Sequence, residues 1–331
     1  MIPRNVRFDS WQRNLAALFF AQTLTMIAFS FVFPFIPLYI QSLGVTDPTE
    51  AAQWAGIVIA AAALSMSVAQ PFWGNLADRV GRKPMVIRSM IGGSIIIGAM
   101  GLVTSPEQLL VLRFIQGGIT GVVAAANALV ATSTPKPRLG FALGLMQVSI
   151  FAGSSVGPLI GGVISDHFGY RVAFYAAGLL LLMGGLTVIT TVRESFTRPP
   201  IGAAQPSLWA GIKSVLAIAV FPVLVSVTFL IQLGGTIVGP VLSLFIAELS
   251  GSANVATQAG LVMASTGAVS AVSAVIIGRL SDRIGHSVIL PVCLLGSAIA
   301  YLPQAWVQDV WQLLRSEERR VGKECLSSWW C

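Results

Sequence analysis

The chain has 331 residues, of which 55% are hydrophobic and only 10% charged, and its formal charge is +7. A soluble domain carries about a quarter charged residues, so this composition excludes a water-solvated globule and leaves lipid as the main solvent. The positive charge does not point to nucleic acid, because the basic residues sit at the ends of apolar runs, as orientation signals do.

The chain is expected to be an all-α membrane protein. An apolar run of 18 or more residues crosses a bilayer core of about 30 Å as a helix, and helix satisfies every backbone group within the segment. Such runs fall at about 14–40, 52–73, 85–103, 108–131, 141–164 and 172–192. Pro34 and Pro37 should break or kink the first. Residues 193–212 hold Arg193, Glu194, Arg198, Pro199 and Pro200 and no long apolar run, so they read as a linker. The cycle then restarts with runs at about 215–247, 256–277 and 288–306, and a tenth begins at 310. The expected organisation is a six-helix bundle over 1–192, a linker over 193–212, and an incomplete second bundle over 213–314.

Between the second and third runs lies a charged knot, Gly74-Asn-Leu-Ala-Asp78-Arg79-Val-Gly81-Arg82-Lys83. A looser copy, Gly278-Arg-Leu-Ser-Asp282-Arg283-Ile-Gly285, lies at the corresponding point of the second half. Pro34-Phe-Ile-Pro-Leu-Tyr-Ile also recurs, as Pro240-Val-Leu-Ser-Leu-Phe-Ile, at nearly the same offset. Two related bundles around a midplane cavity make a transporter architecture. With the amino terminus in the cytoplasm, both knots and nearly all Lys and Arg up to Arg283 fall on the inner side, and Arg171 alone falls outside. No removable signal peptide is expected, because the first run is too long and no small-residue cleavage site follows it.

Chemistry by the chain itself is not expected. The two histidines, His167 and His286, belong to opposite faces, and no acid pair lies at membrane depth. The three cysteines are too few for a disulfide framework, and no metal site is expected.

Particular residues carry the functional expectations. Asp78, beside Arg79, Arg82 and Lys83, can cap a helix start or hold an ion pair, and Gly74 can let two helices approach. A latch explains why the acid and its glycines recur with Asp282 and Arg283; a plain orientation anchor would need only the basic residues. Arg113, near Gln116, lies well within a span and should face a cavity or a partner, or reach the interface with its long stem. Gly153, Gly157 and Gly161 share one helix face, with Pro158 and Gly162 beside it, which suits close packing. Gln22, Phe33, Tyr39, Asn127, Gln147 and Gln232 are candidates for an apolar cavity with a few polar groups.

These motifs resemble the major facilitator superfamily. The knot matches the loop signature between its second and third helices, Leu112-Arg113-Phe114-Ile-Gln116-Gly117 resembles its fourth-helix signature, and Gly153 to Gly162 resembles that of its drug:proton antiporters. The resemblance implies multidrug efflux from the cytoplasm across the bacterial inner membrane. It implies a monomer whose partners are amphipathic compounds, protons and lipid, driven by the proton gradient without a cofactor. It also adds a hinging or sealing role for the glycine helix, which the sequence does not separate from packing. The alternative is an importer of a sugar or other small metabolite. Many such antiporters carry a carboxylate in the first or fourth span; this chain has none there, leaving Asp78, Glu248 or residues beyond 314 as proton carriers. Finally, residues 315–331 interrupt a helix begun at Val310, and 315–325 resemble a translated sequencing adapter. They are expected to be a non-native tail on a fragment that does not transport as written.

Overall fold

A computed structural model describes residues 10–194, 196, 221–222, 225–226, 229–230, 243–247, 254–265 and 267. Gln232, the second knot with Asp282 and Arg283, most of the linker and the tail at 315–331 lie outside the described residues. The described residues form helices joined by short turns.

The first span is α1 (Ser10–Val32), a 3-10 turn at Phe33–Phe35, and α2 (Ile36–Ser42). Pro34 and Pro37 remove two backbone donors there, and the helix breaks where the sequence places the break. Helix α3 (Pro48–Val80) starts at Asp47, whose side chain accepts the Thr49 N–H at 2.7 Å, with Pro48 at the first helical position. It runs on to Val80, well beyond the predicted end near 73. Gly74, Asp78 and Arg79 are therefore helical, and the expected loop shrinks to Gly81 and Arg82. Leu76, Ala77 and Arg79 are good helix formers, and nothing interrupts them before Gly81, which adopts a φ of 100°. Helix α4 (Lys83–Met100) returns across the bundle.

The predicted fourth span is not continuous. It divides into α5 (Pro106–Ile119) and α6 (Val122–Ser133). Thr120 is extended and Gly121 takes a φ of 141°, with the Gln70 side-chain amide 2.8 Å from where a Cβ would stand. Helices α7 (Leu139–Phe168) and α8 (Tyr170–Thr191) complete the bundle, and α7 carries Pro158 within it.

Helix α1 packs on α7 and α8, α4 on α8, and α3 on α5. At one end of the bundle Tyr39 donates to the Met100 carbonyl at 2.8 Å and Arg171 to the Val103 carbonyl at 3.2 Å. At the other end, which carries Asp78, Asn14 exchanges two hydrogen bonds with the Arg193 backbone at 2.7 and 3.0 Å. Outward-facing residues are apolar: Leu64, Val68, Phe72, Ile95 and Leu102 are each at least 60% exposed. Residues Ser10–Ser42, Pro48–Val80, Pro106–Ser133, Lys136–Phe168 and Tyr170–Thr191 are each long and apolar enough to cross a membrane. Helix α4 carries Lys83 and Arg88 in its first half and packs among them.

Candidate functional site

The turn between α3 and α4 is built by a residue of the expected linker. Glu194, just past α8, receives the Arg82 and Lys83 backbone N–H groups on its two carboxylate oxygens, both at 2.8 Å. Its negative charge sits at the positive end of α4 and satisfies donors that no helical carbonyl can reach. Lys83 answers in the opposite sense: its ammonium donates to the carbonyls of Ile189 and Val192 at 3.0 and 2.7 Å, at the negative end of α8. Gly81 fits because a Cβ there would stand 2.8 Å from Glu194 Oε2. Each helix end is thus capped by the other hairpin.

Asp78 does not take the capping role offered by its position. Its carboxylate lies 3.8 Å from Arg82, one turn on, in an ion pair whose acid is 60% exposed. An exposed pair of this kind contributes about 0–1 kcal/mol. Arg79 is exposed beside it. Gly74 makes no close approach either, since no described atom lies within 4 Å of a Cβ built there. Asp78→Asn is therefore expected to change unfolding stability by less than about 1 kcal/mol, measured by thermal unfolding in detergent.

Arg113 is buried in α5, 8% exposed, and donates to Gln116 Oε1 at 3.2 Å, so it finds a neutral partner rather than the interface. A second arginine lies inside a span. Arg88 reads as an end charge in the sequence, but it projects from within α4 with its guanidinium 3.5 Å above the Trp73 ring. The Trp73 indole N–H donates to the Gly118 carbonyl at 2.6 Å, so one stack ties α3, α4 and α5 together. Gln22 is fully buried in α1, and neither of its amide atoms has a partner among the described residues. Asn127 Oδ1, in α6, is likewise buried without one. Gln147 and Phe33 are half-buried. Tyr39, expected at a cavity wall, is core: it is 1% exposed, packs 4.7 Å from Phe174, and has its hydroxyl bonded to Met100.

The glycines of α7 divide between two neighbours. A Cβ at Gly157 would come within 2.6 Å of Ser30 Cβ, and one at Gly161 within 2.5 Å of the Phe31 carbonyl oxygen, both on α1. Gly153 meets Met26 and Ile27 in the same way. Gly162 faces elsewhere, against the backbone of Ala256 and Thr257 in the helix Val255–Ser265. Pro158 lies beside that contact, its carbonyl against Gly260. One helix thus packs inside the first bundle and also touches the second half.

Residues 18–314 match the family described as Major Facilitator Superfamily. The chain belongs to the major facilitator superfamily. It is 38% identical over 309 residues to the multidrug resistance protein MdtG of Enterobacter lignolyticus, covering 92% of this chain and 73% of that protein. It is 36% identical over 318 residues to MdtG of Salmonella arizonae, covering 95% and 77%. A solved bacterial homologue of the human lysosomal transporter Spinster, in an inward-facing and unoccupied conformation, shares the fold with a TM-score of 0.73 at 18% identity, covering 96% of this chain and 74% of that one. The human organic anion transporter MFSD10 does so with a TM-score of 0.65 at 19% identity, covering 97% and 86%. Within this superfamily fold, Glu194, Trp73 and Arg88 are the positions that sequence reading missed. A carboxylate two residues beyond a span and an arginine over a tryptophan carry no periodic signal.

Proposed function

We propose that the intact protein to which this chain belongs exports amphipathic drugs from the bacterial cytoplasm in exchange for protons, as a monomer seated in the inner membrane with its amino terminus inside, and that the chain as written is an inactive fragment of it. The observation that carries this reading is 36–38% identity, over 92–95% of the chain, to bacterial proteins named for multidrug resistance. The clustering of basic residues at the Asp78 end supports the orientation. Gln22 supports a chamber with polar points in apolar walls. A buried amide without a partner costs about 1–3 kcal/mol, and a polar group of the cargo, or water, offsets that cost. Arg113 and Gln116, on α5, are a buried charged and a buried neutral polar side chain bonded to each other.

In this reading the α3–α4 turn is a conformational latch at the cytoplasmic face, with Asp78 exchanging partners as the halves rock. Asp78→Asn then slows transport at least tenfold while leaving the fold intact, which separates a latch from an anchor. The function itself is tested by extrusion of a fluorescent cationic dye from cells expressing the completed gene. Extrusion should stop when a protonophore collapses the gradient. Continued extrusion after collapse overturns the coupling, and accumulation of dye in place of extrusion overturns the direction.

A further inference from the structure

A second helix cap supplied from a distance joins the two halves. Asp166, at the end of α7, accepts the Ala256 N–H on one carboxylate oxygen at 3.2 Å and the Thr257 N–H on the other at 2.6 Å. Those amides are the second and third of the helix Val255–Ser265, donors that lack an intrahelical acceptor and that an N-cap side chain ordinarily satisfies. Here a carboxylate from the other half takes that place, with its charge at the positive end of the helix dipole. The glycine contacts described above sit directly beneath it. Gly162 lies on Ala256, and Gly260 lies on Pro158, so the two backbones touch where the cap closes.

The local geometry also repeats the Asp78 turn at the opposite end of the bundle. Helix α3 ends Asp78-Arg79-Val80-Gly81, and α7 ends Asp166-His167-Phe168-Gly169. Both glycines leave the helix with positive φ, 100° and 85°, so each hairpin holds its aspartate one turn before the bend. Among the described residues Asp78 has only Arg82 across 3.8 Å, whereas Asp166 is engaged with the second half.

We infer that Asp166 is a gate latch: its carboxylate, capping the helix Val255–Ser265, holds the two halves together at the end of the molecule opposite Asp78. The closed end opens only when both N–H bonds break together. The groups around the latch do not replace it. His167 turns its ring to the Val163 carbonyl at 2.9 Å, and Arg171 is bound to Val103. Tyr175 donates to the Gly101 carbonyl at 3.1 Å, and the Tyr170 ring lies 6.3 Å from that of Tyr39. The inference depends on neither the cargo nor the orientation of the chain in the membrane.

The test uses Ala259→Cys as a reporter, since Ala259 is fully buried one turn beyond the cap. Cys293, Cys325 and Cys331 are replaced by Ser in the full chain, which is purified into lipid nanodiscs and labelled with a charged maleimide. Asp166→Asn keeps the shape and removes the charge, and is expected to speed labelling about tenfold, the equivalent of one charge-assisted bond lost. Asp166→Glu should restore slow labelling, which a merely space-filling role would not require. Thr257→Pro provides an independent arm, because proline is tolerated in the first turn but deletes one of the two donors; it should speed labelling with Asp166 intact. Equal rates in the Asn variant and the parent overturn the latch. So do equal rates in the Thr257→Pro variant and the parent, an arm that stands even if the Asn variant does not fold.

Discussion

Glu194→Ala is expected to destabilise the first bundle by about 2–3 kcal/mol, the largest loss for any exposed or half-exposed charge in it. The carboxylate makes two bonds of 2.8 Å to backbone N–H groups, and charge-assisted bonds are shorter and roughly twice as strong as neutral ones. Its removal leaves two amides at the start of α4 without an acceptor and leaves a void beside Gly81. Glu194→Gln should recover part of the loss, because the amide oxygen still accepts one bond but brings no charge to the helix dipole. Lys83→Ala removes the reciprocal bonds to Ile189 and Val192 and should cost less, because its ammonium lies nearer to water. The double variant should lose less than the sum of the singles, since both act on one junction of α4 and α8. Thermal unfolding in detergent reads these differences. A Glu194→Ala protein that unfolds with the parent would show that the cap is an incidental contact.

That prediction rests on a residue that sequence reading passed over. The reasons lie in which forces leave a one-dimensional trace. Burial in lipid does: every apolar run in the first half became helical, and all but the third, α4, are long and apolar enough to cross a membrane. Proline leaves a trace as well, and Pro34 and Pro37 break α1 from α2 where their missing donors demand it. The break between α5 and α6 left none. Gly121 is one glycine among 33, and only the Gln70 side chain packed against it makes it different. The charged knot is helical up to Val80 rather than a loop, because charge marks the membrane boundary and not the end of the helix. Gly81, with its positive φ, marks the latter. Asp78 and Glu194 show the deeper limit. Both are acids near the same turn, yet the distant one caps α4, because α8 returns beside α4 and delivers Glu194 to its first amides. Pairing of that kind is a property of topology, and neighbouring sequence does not encode it.

Gly161→Ala is expected to be the most damaging single methyl addition within the α1–α7 contact, and comparison with two other glycines of α7 isolates the reason. Alanine is a better helix former than glycine by about 1 kcal/mol. At Gly144, where no described atom lies within 4 Å of the added Cβ, alanine should therefore stabilise or be neutral. At Gly161 the same methyl would stand 2.5 Å from the Phe31 carbonyl oxygen and 2.6 Å from its Cα. Those are backbone atoms that no rotamer change can withdraw, so α1 and α7 must separate. Overpacking of this kind costs about 1–3 kcal/mol, and the strain falls one turn from the break at Phe33–Phe35. Gly162→Ala adds its methyl against Ala256, outside the first bundle. Its effect should appear less in unfolding of that bundle than in how often the two halves part, read by the labelling rate at position 259. Detergent unfolding of the three variants should rank Gly144→Ala above Gly162→Ala and Gly161→Ala last. If Gly161→Ala proved as stable as Gly144→Ala, the α1–α7 seam would have room for a side chain, and the glycine face would need another explanation than close packing.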